Sequence, residues 1–589
     1  MYLNTHTYYS LRYGTFGPDV LLELARSNGL SALVLSDINT TSACLEFTRL
    51  APRYDIRPIL GVDFRKGVEQ RYVAIAKNND GFEEINRHLT IILNEEIELT
   101  EHAPDFENSF VVYPFERGKK RTLKPHEYIG VSPYDLDYIR LKKEDISKCV
   151  ILQTVTFRNK RDFNAHRLLR AIDNNTLLSK LPLSEQADVR DCIQPLSELT
   201  KKFNDFPEII KNTQYIIDSS SIYFDFSENA VPQNQNTYTG SEAGDLLLLK
   251  ELCAEGIAYR YPNINDTITA RIKKEMDAIL QMKFVSYFLI NWDIVTYARS
   301  KGFFYVGRGS GANSVIAYLL RITNVDPIEL DLYFERFINL YRKNPPDFDI
   351  DFSWTDRDNV TAYIFSRFKN VALVATYNTF QYRAVIRELG KVFGLPKSEM
   401  DQLSRGYTTS FDSNHLAHLV LKYGKYIHGF PSHLSIHSSG IIISERPIQH
   451  FTGTFMPPKG YPTIQFDMHV CEDVGLYKFD ILSQRGLGKI KDSLGIIEKN
   501  NPNDPKIDID DINSFKSDKK IKHLLRNAEA VGCFYVESPA MRMLLRKLQV
   551  DNYLGLVAAS SVIRPGVAKS GMMQAYIKRY RHPEKRKEA

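Results

Sequence analysis

The sequence predicts a multidomain α/β protein, and three observations point there. The chain has 589 residues, which at about 100–200 residues per domain suggests roughly four domains. Over residues 1 to about 215, short apolar runs alternate with helical patterns, as in α/β folds with polar residues at one rim of the sheet. Further on, the apolar run Phe303–Val306 passes at once into a glycine-rich stretch and then an apolar helical pattern, a strand–turn–helix unit.

In chain order, Val20–Ala25 has helical spacing, and Ala32–Leu35 and Pro58–Val62 are strand-like. The polar stretch Ser219–Thr239 has the composition of a connection between domains. From Ser241 the pattern turns helical, with Leu246–Leu249, Leu252, Ile257 and Tyr261 at helix spacing, then Thr267–Met282 and Tyr287–Ser300. After the strand at Phe303–Val306 and the loop Gly307–Ser314, a helix is expected from Val315 to Ile322. Residues 380–430 are again helical, 440–490 contain strand-like runs at Gly440–Ile443 and Gly475–Ile481, and the last hundred residues are helical and basic. No repeat of fixed period is present.

Composition narrows the class. Hydrophobic residues are 43% and charged residues 25%, with 33 Phe and 33 Tyr, so a large core forms without metal or disulfide support and disorder of the whole chain is excluded. No apolar run reaches the ~18 residues of a membrane helix. The N-terminus lacks the basic start and apolar stretch of a secretory signal. The six cysteines are scattered, with no Cys-x-x-Cys pair, as in reduced, cytoplasmic proteins. The net charge of +5 and pI near 8.6 allow a polyanionic partner without requiring one.

The most informative segment is Asn344-Pro-Pro-Asp-Phe-Asp-Ile-Asp-Phe352. Two prolines end what precedes them, and strict alternation then sets Asp347, Asp349 and Asp351 on one face of a strand and Phe348, Ile350 and Phe352 on the other. Like charges this close repel. A divalent cation with oxygen ligands, Mg²⁺ or Mn²⁺, is the simplest compensation; an acidic surface strand is the alternative. In Gly307-Arg-Gly-Ser-Gly-Ala-Asn-Ser314 three glycines let backbone N–H groups approach a phosphate beside a helix N-terminus, and Arg308 favours an anion. No Walker sequence follows, and a tight turn capped by Asn313 or Ser314 fits equally well. Asp480, in Lys478-Phe479-Asp480, lies in an apolar strand, where an acidic residue stands at the end or is paired. Asn4-Thr5-His6 and Ser36–Asn39 could ligate a metal at strand ends, but read more simply as rim residues. The basic runs Arg117–Lys124 and Lys578–Lys587 are solvated charge by default and could touch phosphates.

Together these pieces resemble one family. The run from Gly307 through Phe352, with Tyr477-Lys-Phe-Asp-Ile-Leu482, resembles the palm of the bacterial DNA polymerase III alpha subunit, the family C replicative polymerases. Residues 1–47 with Arg57–Phe64 are similar to the polymerase-and-histidinol-phosphatase (PHP) domain that opens those chains. Val385–Pro396 resembles the thumb, and Ser560–Met573 the fingers. The resemblance implies a PHP-type (β/α) barrel domain over 1–225, a nucleotidyltransferase-like palm over 226–380 and 436–485, a helical thumb over 381–435 and partial helical fingers over 486–589. It implies Asp349, Asp351 and Asp480 as catalytic metal ligands, with Asp347 in the same motif but not a ligand. It also implies Gly309 and Ser310 as holders of the nucleotide triphosphate, with positive charge added by Arg308, Lys478, Arg336 and Arg342. The expected function is template-directed addition of deoxynucleotides to a primer 3′-hydroxyl in chromosomal replication, through two Mg²⁺ ions about 3.5–4 Å apart and in-line attack at the α-phosphate. Expected partners are primer-template DNA, deoxynucleoside triphosphates and, in a full-length protein, the sliding clamp, the clamp loader and a proofreading exonuclease subunit.

Two departures modify this. In many relatives the PHP domain binds a metal cluster through His-x-His, Asp-His, Glu and Val-His-Tyr motifs. Here these read Asn4-Thr5-His6, Asp37-Ile38, Asp63 and Val155-Thr156-Phe157, and Asn, Ile and Thr do not replace imidazole ligands. No catalytic metal or exonuclease activity is expected there; the domain would remain as a scaffold. Relatives also continue several hundred residues beyond Arg564-Pro565-Gly566, so the chain is expected to be truncated in the fingers and, alone, weakly active or inactive. A non-catalytic scaffold is the second hypothesis, disfavoured by clustered charge for which a scaffold has no use. A PHP-type phosphoesterase is the third, disfavoured by the missing histidines.

Overall fold

Both faces of the N-terminal strands are apolar, and the fold buries both. Leu33 and Leu35 join one core while Ala32 and Val34 join another; Leu60 and Val62 are divided in the same way from Ile59, and Val111 and Tyr113 from Phe110 and Val112. Alternating side-chain direction produces that division, and a strand covered on both sides reads as a continuous apolar run. The computed structural model describes all residues except 96, 228–229, 339–346, 407–414, 565, 568–569, 583 and 585–589. Two compact units share the chain discontinuously: Met1–Asn236 with Ile364–Phe479, and Thr237–Tyr363 with Asp480–Ala589.

In the first unit, strands Ala32–Leu35, Arg57–Lys66, Glu69–Ala76, Ser109–Pro114, Glu127–Val131 and Cys149–Ile151 form one sheet in that order. The two pairings of Glu69–Ala76 are antiparallel and the others parallel. Asn4–Thr5 pairs in parallel with Thr154–Val155 and reaches the first strand of the six through Ser36 N, which donates to Thr5 O at 3.0 Å. The sheet thus curls into a half-barrel, with Asn4, His6, Asp37 and Asp63 brought to one end. Helix Lys160–Asp173, capped by the Asn159 side chain, shares a core with helices Tyr382–Phe393 and His415–Ile427 through Leu168, Leu169, Val385, Leu389 and Val420. Among the described residues of 380–430, helices Tyr382–Phe393, Lys397–Ser404 and His415–Ile427 follow the predicted spacing, and the first and last of them pack on helix Lys160–Asp173. Strand Asn370–Thr379 lies between Pro431–Ser444, antiparallel, and Thr463–Asp467, parallel.

The second unit has helices Glu242–Arg260, Asp266–Gln281 and Val285–Ser300, the middle one capped by Asn265. Strand Asp349–Ser353 pairs antiparallel with Tyr305–Arg308 and parallel with Phe479–Gln484. Near the C-terminus, Met541, Leu544, Leu545, Leu548, Val550, Ala559 and Ile577 form a separate small core.

Two local expectations are corrected. The helix after the glycine loop covers only Val315–Leu319, because Arg321 turns into the left-handed region at φ +60°. The strand expected from Gly475 begins at Phe479; Gly475 has φ +76° and sits in a turn. No helix among the described residues is long and apolar enough to cross a membrane, and all six cysteines are free thiols.

Candidate active site

The acidic strand sits in the middle of a three-stranded group, and its register sets the chemistry. Asp349 is opposite Asp480 on the parallel neighbour and opposite Arg308 on the antiparallel one. The other face is anchored by Phe348, Ile350 and Phe352, all essentially inaccessible. Phe348 stacks on Tyr287 with ring centroids 5.8 Å apart and packs against Phe337 at 4.8 Å. That apolar anchor leaves the aspartates only one direction.

Carboxylate oxygens of Asp347, Asp349 and Asp480 lie within 4.8 Å of one another. At an effective dielectric of ~20, two full charges at that separation repel by about 3 kcal/mol. Three acceptor-only groups so disposed suit a hard divalent cation with oxygen ligands. Asp351, one step along the same face, is buried and is held by Arg308: Nε donates to Asp351 Oδ2 at 2.7 Å while Nη1 donates to Asp349 Oδ2 at 2.9 Å. Burial works against the Arg308 charge, but its bond to Asp351 and the charges of Asp351, Asp349 and Asp480 prevail and raise its pKa. The same charges reach Tyr287, whose hydroxyl is pushed well above its ordinary pKa first by burial and then by Asp347 and Asp480.

The glycine loop meets this group directly. Gly309 has φ +72°, and a Cβ there would stand 2.8 Å from Asp349 Oδ2. Only glycine supplies that conformation at that distance. A Cβ on Gly311 would strike the Phe348 ring at 2.5 Å. Ser310 Oγ lies 3.4 Å from Asp347 O. Ser314 caps the following helix by accepting from Ala317 N at 3.1 Å.

Of the residues singled out from the sequence, Asp349, Asp480, Arg308, Gly309 and Ser310 thus come together. Asp347 stands in the group of three where Asp351 was expected, and Asp351 is paired with Arg308. Arg336 ends a short turn, Phe334–Arg336, Lys478 immediately precedes the strand of Asp480, and Arg342 lies outside the described residues.

At the end of the N-terminal sheet a second polar cluster is closed around a cation of the chain itself. Asp63 Oδ2 accepts from Asn4 Nδ2 at 3.1 Å, from Arg65 Nε at 2.9 Å and from Arg65 Nη2 at 2.7 Å, and lies 3.0 Å from His6 Nε2. Arg65 Nη1 donates to the Tyr13 hydroxyl at 2.8 Å. Burial would raise the Asp63 pKa, but Arg65 and His6 outweigh it and hold the carboxyl well below its usual range. Asp37 accepts from Thr7 N, Thr7 Oγ1 and Ser10 Oγ; burial nonetheless raises its pKa to about 6. The sequence singles out His6, Asp37 and Asp63 but not Arg65, which sits between Phe64 and Lys66 near the end of its strand with no local signal that its charge is buried.

Comparison with known proteins supplies the context. Residues 3–121 match the PHP domain, 247–483 the bacterial DNA polymerase III alpha NTPase domain and 486–589 the bacterial DNA polymerase III alpha subunit finger domain. The chain is 28% identical to an error-prone DNA polymerase of Symbiobacterium thermophilum, over 99% of this chain and 60% of that protein. It is 28% identical to the DNA polymerase III subunit alpha of Bacillus subtilis, over 96% and 55% respectively. For the same subunit of Escherichia coli O157:H7 the identity is 27%, over 98% and 56%. The chain spans little more than half the length of these relatives. A half-barrel PHP domain followed by a nucleotidyltransferase-like α/β region and fingers, matched in that order along the sequence, places the chain in the bacterial DNA polymerase III alpha subunit family.

Proposed function

We propose that this chain carries the nucleotide-adding centre of a DNA-directed DNA polymerase acting in replication. The observation that carries this is the convergence of Asp349 and Asp480, from strands about 130 residues apart in sequence, beside the Gly309 turn. Asp349, Asp480 and Asp351 would hold the cations, with Asp347 alongside and Mg²⁺ as the natural ion for an all-oxygen set. When bound, two such ions lower the pKa of the primer 3′-hydroxyl and neutralise charge on the pyrophosphate leaving group. The chain's own residues do the rest. Backbone N–H groups of Gly309 and Ser310 face the triphosphate, and Arg308 exchanges its carboxylate partners for phosphate oxygens, releasing Asp351. Lys478 and Arg342 add positive charge. Primer-template DNA and deoxynucleoside triphosphates are the substrates, with sliding clamp, clamp loader and proofreading subunit as partners of the full-length protein in the cytoplasm.

The N-terminal domain, in this proposal, holds no catalytic metal. Arg65 supports that: a guanidinium bonded to Asp63 supplies the positive charge that a metal would bring, and a single imidazole, His6, faces it.

The test is single-nucleotide addition to a primer-template with enzyme in excess, on this chain and on a version extended to its relatives' length. Asp349→Asn and Asp480→Asn should each lower the rate at least ~1,000-fold without loss of folding, whereas Arg12→Ala, in the other unit, should not. Unchanged addition by Asp349→Asn would remove the proposal.

A further inference from the structure

The glycine loop is held from behind by a buried ion pair. Glu275 and Arg271 lie one turn apart on helix Asp266–Gln281, and Arg271 Nε donates to Glu275 Oε1 at 2.6 Å. Glu275 is fully buried. Its second oxygen accepts from Ser314 Oγ at 2.8 Å and from Ile316 N at 3.2 Å, so it holds the residues that end the loop and open the next helix. Arg271 Nη2 reaches two backbone carbonyls, Asn313 O and Leu332 O, each at 2.9 Å. Asn313 in turn donates from Nδ2 to Ser310 O at 2.7 Å. An unbroken chain of bonds therefore runs from a buried carboxylate through Arg271, Asn313 and Ser314 to Ser310, and ends one residue from Gly309 at Asp349.

A buried charge is costly unless its lone pairs are used, and here Oε1 is used by Arg271 and Oε2 by the short segment Ser314–Ile316. Burial raises the Glu275 pKa, and the bonds from Arg271, Ser314 and the helix amides oppose that. A packing role alone would be met by an apolar pair of the same volume. What the ion pair adds is direction, since its bonds beyond its own helix end on Asn313, Ser314 and Ile316, where the loop passes into the next helix, or on Leu332, a little upstream of the acidic strand.

We infer that Glu275 and Arg271 are positioning residues that set the phosphate-holding geometry of the Gly309–Ser314 loop, and through it the affinity for the incoming nucleoside triphosphate. This rests on the polymerase function proposed above. Glu275→Gln keeps size but turns an amide N–H toward Arg271 or Ser314. Arg271→Lys keeps charge but cannot fork to two carbonyls.

The experiment uses the whole chain with two readouts. Amide hydrogen exchange over residues 309–316 reports the brace without any ligand. Calorimetric titration with dATP and Mg²⁺ in the presence of primer-template reports its consequence. In Glu275→Gln, exchange in that segment should accelerate at least tenfold and dATP should bind about tenfold more weakly, with primer-template affinity unchanged; Arg271→Lys should fall between Glu275→Gln and wild type. Both variants should keep the wild-type near-ultraviolet circular dichroism. Unchanged exchange, or accelerated exchange with unchanged dATP affinity, overturns the inference while leaving the polymerase proposal intact. A wild-type chain that binds no dATP overturns both. Should Glu275→Gln fail to fold, Arg271→Lys decides by the same two readouts.

Discussion

Asp349 and Asp480 are register partners on adjacent parallel strands. Without a cation, that register sets two like charges opposite one another in a sheet, with Arg308 bonded to Asp349 from the other neighbouring strand.

Removing one carboxylate should weaken the response of the protein to divalent cations. Asp480→Asn leaves two of the three carboxylates whose oxygens lie within 4.8 Å of one another. The variant should lose at least half of the upward shift in melting temperature that millimolar Mg²⁺ gives the wild type, because a hard divalent cation takes charged oxygen ligands. Differential scanning calorimetry in Mg²⁺ and in EDTA measures the shift. An Asp480→Asn protein with the wild-type Mg²⁺ response would contradict this.

Gly309→Ala places a methyl group against Asp349 in a left-handed backbone position. Strain of that kind costs of order 1–3 kcal/mol. The loop should yield rather than the sheet, so nucleotide affinity should fall more than overall stability. Urea unfolding and dATP titration on the same sample separate the two.

Arg65→Met leaves Asp63 buried beside His6 with its main cationic partner gone. Breaking a buried pair in this way typically costs 3–5 kcal/mol, and urea unfolding of the whole chain should show a loss of about that size in the first unit. Because Arg65 serves the N-terminal cluster, the Mg²⁺-dependent stabilisation of the second unit should be unchanged.

His166 makes acid the sensitive direction. Its Nδ1 lies 2.7 Å from Tyr13 O, and its Nε2 accepts from Ala187 N at 2.9 Å, so the neutral ring uses both nitrogens and has no place for a second proton. Burial first, with Arg170, Arg65 and His6 nearby and the Tyr13 carbonyl opposing, lowers its pKa to about 3. The unfolded chain therefore binds the extra proton more readily. The contribution is complete above pH 6.5, falls with the pH toward 3, and amounts to a loss of about 2 kcal/mol at pH 5 by linkage. His166→Gln should lower stability at pH 7 yet shrink the difference between urea midpoints at pH 7 and pH 5. An unchanged difference would show that other groups carry the acid sensitivity.

The alternation of Asp and apolar residues over 347–352, the glycines of the loop and the helical spacing of 267–282 and 380–430 are properties of neighbouring residues. They were legible from the sequence because side-chain direction follows directly from backbone period. The family resemblance was legible for the same reason, as its motifs are local runs. Tertiary structure alone decided which carboxylates meet. The register of Asp349 against Asp480 is set by strands about 130 residues apart, and it groups Asp347 with them while Arg308 takes Asp351. It alone decided that Arg65 would close the N-terminal cluster and that Glu275, one acidic residue among many on amphipathic helices, would be buried beneath the loop. Charge pairing depends on distance in space and on loss of water, and neither is written in the spacing of residues along a chain.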